Sequence, residues 1–156
     1  MSTVTAKMAK DSEVMIREIM PEDYTAVARF WRDYLDVPAA TDESVSKTLE
    51  KMSEDHRYGT YVAVEDGKVV GFITFVEVLS IDDPCGYIKM NGIAVIPEYR
   101  HRGIAQQLTE RVEQEARERG ANSIGAASSF KRTGSQAMLA KMGYEKSAFW
   151  FHKNFK

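Results

Sequence analysis

The residues best suited to chemistry lie close together in Arg100-His101-Arg102-Gly103-Ile104-Ala105-Gln106, directly after the apolar run Gly92-Ile93-Ala94-Val95-Ile96. Pro97 ends that run because it has no N–H to give a sheet ladder, and from Ile104 the apolar spacing becomes helical. The pattern therefore predicts a strand, a turn and a helix that starts at a glycine. The first amides of a helix have no partners within it and carry a partial positive charge, so such a corner binds phosphate well. Gly103 allows a ligand to approach the backbone closely, and Ala105 is small enough not to block it. Arg100 and Arg102 add two fixed positive charges, and His101 a third when protonated. A pyrophosphate is the expected guest.

Two familiar phosphate loops do not fit. No Gly-Lys-Ser/Thr follows as in a Walker loop, and the full Gly-x-Gly-x-x-Gly dinucleotide pattern is missing. The spacing Arg100-x-x-Gly103-x-Ala105 after Ala94-Val95-Ile96-Pro97-Glu98-Tyr99 resembles instead the acyl-CoA pyrophosphate loop of the GNAT superfamily of N-acetyltransferases. The resemblance implies acetyl-CoA as co-substrate, with Arg100 to Gln106 on the pyrophosphate and Ile93, Ala94 and Val95 along the pantetheine. It also implies Ser128 and Arg132 on the far side of the cofactor cleft, and a backbone N–H near Val95 for the thioester carbonyl.

Acetyl transfer to an amine needs a neutral nitrogen, a stabilised carbonyl oxygen and a proton for the departing thiolate. At three positions where such relatives carry functional side chains, this chain differs. Leu139 stands where a proton-donating tyrosine is common and Arg132 where an asparagine is, while Tyr87 to Val95 holds Lys89 and Asn91 but no glutamate. The sequence thus assigns no catalytic acid or base. Either Glu77, Tyr144 or Ser128 acts directly or through water, or solvent protonates the thiolate, or the chain binds acyl-CoA without fast catalysis. Loss of an acid costs about a hundredfold to ten-thousandfold, which a good leaving group tolerates, so an enzyme is the preferred expectation.

These residues need a scaffold. Val14 to Met20 reads as a first strand, and Pro21 with Glu22 and Asp23 as the opening of a helix. Tyr24, Val27, Ala28, Trp31, Tyr34 and Leu35 share one face of that helix, and Val45, Leu49 and Met52 share a stripe on a second helix capped by Thr41 or Asp42. In the resemblance this pair covers the acceptor site, so Trp31, Tyr34 and Glu77 are its candidate lining, although core packing is the plainer role for the two aromatics.

Tyr61 to Glu65 and Val69 to Leu79 form a hairpin about Asp66-Gly67. Ile81 to Gly86 reads as a turn, and Tyr87 to Ile96 as the strand into the loop, with Gly92 marking a bulge. A helix with Ile104, Leu108, Val112 and Ala116 in one row runs to Arg119 and stops at Gly120. Ser123 to Ser129 is a short strand, Arg132 to Met142 a last helix, and Glu145 to Phe155, with Phe149, Phe151 and Phe155 alternating, a final strand.

The order matches the GNAT order from residue 14 to 155. The expectation is an α+β (α/β/α) GNAT fold, a mixed sheet of about six to seven strands flanked by four helices. Residues 1–13 form a leader and 14–156 the domain.

Composition agrees with one globular domain: 156 residues, 44% apolar and 28% charged. A net charge of −2 gives no electrostatic reason to expect nucleic acid or an anionic membrane. The single cysteine, Cys85, cannot form an internal disulfide, and no secretory signal or membrane span is visible, so the cytoplasm is the expected location. No metal site is expected.

The partner expected is a small primary amine, since the tail looks most like small-amine members such as aminoalkylphosphonate N-acetyltransferases. Asp36, Asp42, Asp82 and Asp83 are loop carboxylates able to attract it. A non-catalytic acyl-CoA sensor and a protein acetyltransferase are the alternatives, and a homodimer is an expectation carried by the resemblance.

Overall fold

The computed structural model describes residues 13–156, so all of the expected leader but Glu13 lies outside the described residues. Five strands lie in the order β1-β2-β3-β4-β5: β1 Met15–Glu18, β2 Tyr58–Glu65, β3 Lys68–Ser80, β4 Asp83–Val95 and β5 Ser123–Ala126. Neighbours are antiparallel except β4 and β5, which are parallel. The helices are α1 Tyr24–Asp33, α2 Asp42–Ser53, α3 Ile104–Glu118 and α4 Thr133–Lys141.

Each sheet face carries its own core. On one, α1 and α2 bring Val27, Phe30, Leu35 and Leu49 onto Val62, Phe72 and Ala94. The rings of Phe30 and Trp31 sit 5.4 and 5.8 Å from that of Phe72. On the other face α3 buries the predicted row Ile104, Leu108, Val112 and Ala116 against Ile73, Phe75, Ile88 and Val95, with Leu139 and Tyr144 packed alongside. Covered on both sides, β3 is almost continuously apolar, as a central strand must be.

Local signals behave as the residues dictate. Thr41 caps α2 by accepting the Ser44 amide at 3.0 Å, and Ser44 returns the bond to the Thr41 amide. Asp66 and Gly67 both take positive φ, 49° and 76°, the geometry of a two-residue hairpin turn. The buried Asp23 ties β1 to α1 by holding Arg17 in two bonds of 2.6 and 3.0 Å and accepting the Met20 amide at 2.8 Å. Burial works against its charge, but those bonds win and hold its carboxyl below the usual carboxylate range.

Two expectations are corrected. The turn Ile81 to Gly86 is largely strand: the β3–β4 ladder continues to Ser80 opposite Asp83, because positive φ at Gly86 and amide bonds to Asp83 absorb the irregularity. The tail from Glu145 does not form a strand, and the sheet has five strands rather than six or seven. Alternation specifies a strand only where a layer can bury one face. Phe149, Phe151 and Phe155 are more than four-fifths exposed, and Trp150 instead lies under the Lys89 ammonium at 4.2 Å.

Where α3 crosses β2 and β3, a polar cluster is held out of water. Glu115 accepts the Tyr61 hydroxyl at 2.8 Å and Arg119 at 2.9 Å, and Arg119 also bridges to Glu77 at 3.0 Å. Burial opposes the charge of Glu115, yet those donors keep its carboxyl below the ordinary range, while burial first and Glu115 second push the Tyr61 phenol up. A carboxyl depressed in the folded state adds stability above its unfolded pKa, lost as pH falls through the folded one. Glu115→Gln is therefore expected to cost about 1–3 kcal/mol at neutral pH. The gap to wild type should persist through the ordinary carboxylate range and close only on acidification below it, which urea melts at falling pH would measure.

Candidate active site

The site starts from an irregularity in β4. Thr74 pairs with Gly92 and Phe75 with Met90, so Asn91 is an extra residue, the bulge expected near Gly92. It resets the alternation: Ile88 and Met90 before it and Ile93 and Val95 after it all face α3. Asn91 and Gly92 turn toward the α1–α2 face, where Trp31 lies so close that a Cβ on Gly92 would stand 2.7 Å from its ring.

At the same place β4 loses a neighbour. β5 pairs only with Tyr87–Met90 and ends at Ala126, so beyond the bulge the two strands part. The Ile96 amide donates to Val70 at 2.9 Å and sets the phase of the ladder. Counting back, Ala94 and Gly92 bond toward β3, and the amides of Ile93 and Val95 turn toward the gap.

The gap leads to the basic corner. Pro97–Tyr99 makes a single 3-10 turn, His101 and Gly103 take positive φ of 62° and 78°, and α3 follows. Its first internal bond runs from the Gln107 amide to the Gly103 carbonyl at 3.0 Å. The amides of Ile104, Ala105 and Gln106 precede that bond and face out of the helix end, where the dipole is positive. Nothing lies within 4 Å of where a Gly103 Cβ would be. The expected strand, turn and helix starting at Gly103 are present, with the outward donors supplied by backbone.

The basic side chains are used differently from expectation. Arg102 forms a two-bond ion pair with Glu65, at 2.6 and 3.1 Å, and lies over the Tyr99 ring. The Glu65 side chain is 5% exposed and a charge that buried needs a partner, which Arg102 supplies. Arg100 folds back so that its Nε donates to the Val95 carbonyl at 3.0 Å, bracing the corner. His101 is exposed, and Gln106 donates to Glu110 at 2.9 Å.

Beyond the bulge lies a cavity of about 390 Å³ between α1, α2 and the sheet. Trp31, Val45, Leu49, Met52 and Phe72 line it, with Ser44, Thr48, Tyr58, Thr60, Thr74 and Asn91 as polar points, and no charged side chain belongs to the lining. Of the expected acceptor residues, only Trp31 is there. Tyr34 packs against the Phe30 ring at 5.6 Å, and Glu77 is on the opposite sheet face, held by Arg119. Thr60, Thr74 and Asn91 escaped the sequence reading, although an asparagine before a mid-strand glycine hints at a polar position.

The remaining candidates are placed as follows. Ser128 is exposed just past β5. Arg132, at the start of α4, donates across the fold to the Leu35 carbonyl at 3.2 Å. Tyr144 gives its proton to Glu113 at 2.8 Å, and burial together with that carboxylate pushes its phenol up. None of the loop aspartates is among the lining residues, although Asp36 precedes Val37, which is: Asp42 pairs with Arg32 at 2.8 Å and Asp82 is bonded by Ser80. Asp83 takes the Asn122 side chain at 2.6 Å, at the strand end roughly 26 Å of extended chain from Asn91. Among the described residues no group of side chains could hold a metal ion, and no helix is long and apolar enough to cross a membrane.

Parting strands, a helix start with outward amides and a cavity meet at one bulge of β4. A model of the Acetyltransferase (GNAT) family matches residues 15–144, and the chain belongs to that family. It is accordingly an acyl-CoA-dependent N-acetyltransferase by class. Aminoglycoside N(6')-acetyltransferase type 1 of Salmonella typhimurium is 24% identical over 113 residues, 70% of this chain and 78% of that one. Among solved structures, a transcriptional regulator from Bacillus halodurans superposes with TM-score 0.82 at 20% identity, covering 92% of this chain and all of that one. Aminoglycoside N-acetyltransferase AAC(6')-Iy, solved with CoA, gives 0.80 at 20% identity, covering 95% and 99%. Both likenesses concern the fold.

The contact between Gly92 and Trp31 makes a direct prediction. Gly92→Ala should destabilise the protein by about 1–3 kcal/mol through overpacking, and Trp31→Leu should relieve most of that cost. A double-mutant cycle by urea denaturation would measure it, and additive losses would show that the two do not meet.

Proposed function

We propose that the protein transfers acetyl from acetyl-CoA to the primary amine of a small molecule, directly, with both substrates bound together. One observation carries the reading: the gap between β4 and β5 has outward amides of α3 at one end and the cavity beneath α1 and α2 at the other. A coenzyme with its diphosphate at Arg100–Gln106 and its pantetheine along Ile93, Ala94 and Val95 would bring its thioester to the bulge. In this reading Ser128 and Arg132 would meet the coenzyme from the β5–α4 side.

The chemistry follows from what lies at the bulge. The Val95 amide is suited to the carbonyl oxygen as charge gathers on it, and a backbone donor requires no particular side chain. The amine nitrogen attacks the thioester carbon, the C–S bond breaks, and the thiolate takes a proton from solvent. Leu139, packed on the α3-side core, offers no proton, and Tyr144 is committed to Glu113. Turnover then proceeds without a side-chain acid, slower by the factor such an acid supplies.

Calorimetry with coenzyme A and a thiol-release assay over a panel of amines test the proposal together. Gly103→Val places a β-branched residue at a φ of 78° and a Cβ where the diphosphate would lie. It should weaken coenzyme A binding by about tenfold to a hundredfold, or about 1.4–2.8 kcal/mol. Wild-type affinity in the variant, or no heat with the native protein, would remove the diphosphate from this corner. Coenzyme binding without thiol release from any amine would leave a non-catalytic acyl-CoA binder.

A further inference from the structure

The walls of the cavity restrict the acceptor more than its size does. Tyr58 is the only titratable side chain among its lining residues. Charged groups stand on the flanking elements outside the lining: Asp42 is paired with Arg32 at 2.8 Å and Glu43 with Lys47 at 2.7 Å, and Arg29, Asp33, Asp36, Glu50, Lys51 and Glu54 lie on or beside the same elements without being among the lining residues. On the sheet side the Thr60 hydroxyl donates to that of Thr74 at 3.0 Å. A polyamine or aminoglycoside entering here would have to desolvate several ammonium groups with no carboxylate to receive them, which is strongly unfavourable.

Resting on the acetyl-transfer reading, we propose that the acceptor is a monoamine with an uncharged apolar body, an alkylamine or aralkylamine. Its body lies against Val45, Leu49, Met52 and Phe72, and its nitrogen reaches the bulge at Asn91. Such walls disfavour an ammonium, so the entering amine loses its proton to water and binds as the free base. Its lone pair forms the N–C bond and the C–S electrons leave on sulfur. As the N–C bond forms the nitrogen gives up one of its two protons to solvent and keeps the other as the amide N–H, and the thiolate takes one proton from solvent. The cavity thus does by desolvation what a general base would do, which accounts for a site with no base on its walls.

The experiment compares kcat/KM for 2-phenylethylamine, spermidine and kanamycin, and records the pH profile for 2-phenylethylamine and its less basic 2,2-difluoro analogue. The expected result is a preference of at least about tenfold for 2-phenylethylamine, with the rising limb of the profile moving to lower pH for the difluoro amine. Thr48→Asp, at an exposed lining position, should narrow or invert the preference over spermidine while coenzyme A binding by calorimetry is kept. Val45→Trp should raise KM for 2-phenylethylamine by filling the cavity. A preference for kanamycin or spermidine, a limb that stays fixed whatever the amine, or insensitivity to both substitutions overturns the substrate class and leaves acetyl transfer standing. Failure to release thiol with every amine, coenzyme bound or not, overturns both.

Discussion

One extra residue in β4 sets the layout of this protein. Asn91 interrupts the ladder with β3, and at the same point the parallel ladder with β5 ends, so the strand continues toward Val95 with one edge open. An unpaired edge inside a fold is costly unless something satisfies its amides. Here it lies between a helix start that favours phosphate and a cavity under α1 and α2. The bulge also lets one strand serve two cores, since it keeps Ile88, Met90, Ile93 and Val95 on the α3 side and still turns Asn91 and Gly92 to the other.

The charges near the corner show a division of labour between backbone and side chains. Arg102 neutralises buried Glu65, and Arg100 braces the Val95 carbonyl, so both hold the loop in shape. The partial charge offered to an anion comes from amides whose direction the helix fixes. Preorganised donors of this kind lose little entropy on binding, whereas a flexible arginine would have to be ordered first. The cluster of Tyr61, Glu115, Arg119 and Glu77 does comparable structural work across the α3 face. It also explains why Glu77 is unavailable to the acceptor side.

In the proposed reaction, catalysis rests on environment more than on a proton-transfer residue. The positions at which the resemblance implies a tyrosine and an asparagine hold Leu139 and Arg132, one packed in a core and the other bonded to the Leu35 carbonyl, and no glutamate stands between Tyr87 and Val95. What remains near the bulge is a backbone donor, the Asn91 side chain and uncharged walls with a few hydroxyls. That combination favours a neutral amine and a leaving group that departs as an anion.

Much of this was written in the sequence because it depends on neighbours along the chain. The strand, turn and helix around Gly103, the cap at Thr41, the Asp66-Gly67 turn and the row from Ile104 to Ala116 are all set by contacts a few residues apart. The bulge at Gly92 was legible for the same reason. The final strand was not, since alternating Phe149, Phe151 and Phe155 specify a face only if the fold supplies a layer to cover it. Nor could spacing show that Arg102 would be spent on Glu65, 37 residues away, that Glu77 would face α3, or that Thr60, Thr74 and Asn91 would meet beneath the first two helices. Local periodicity decides which elements form, but the partner of a buried charge and the lining of a cavity depend on which distant elements the packing brings together.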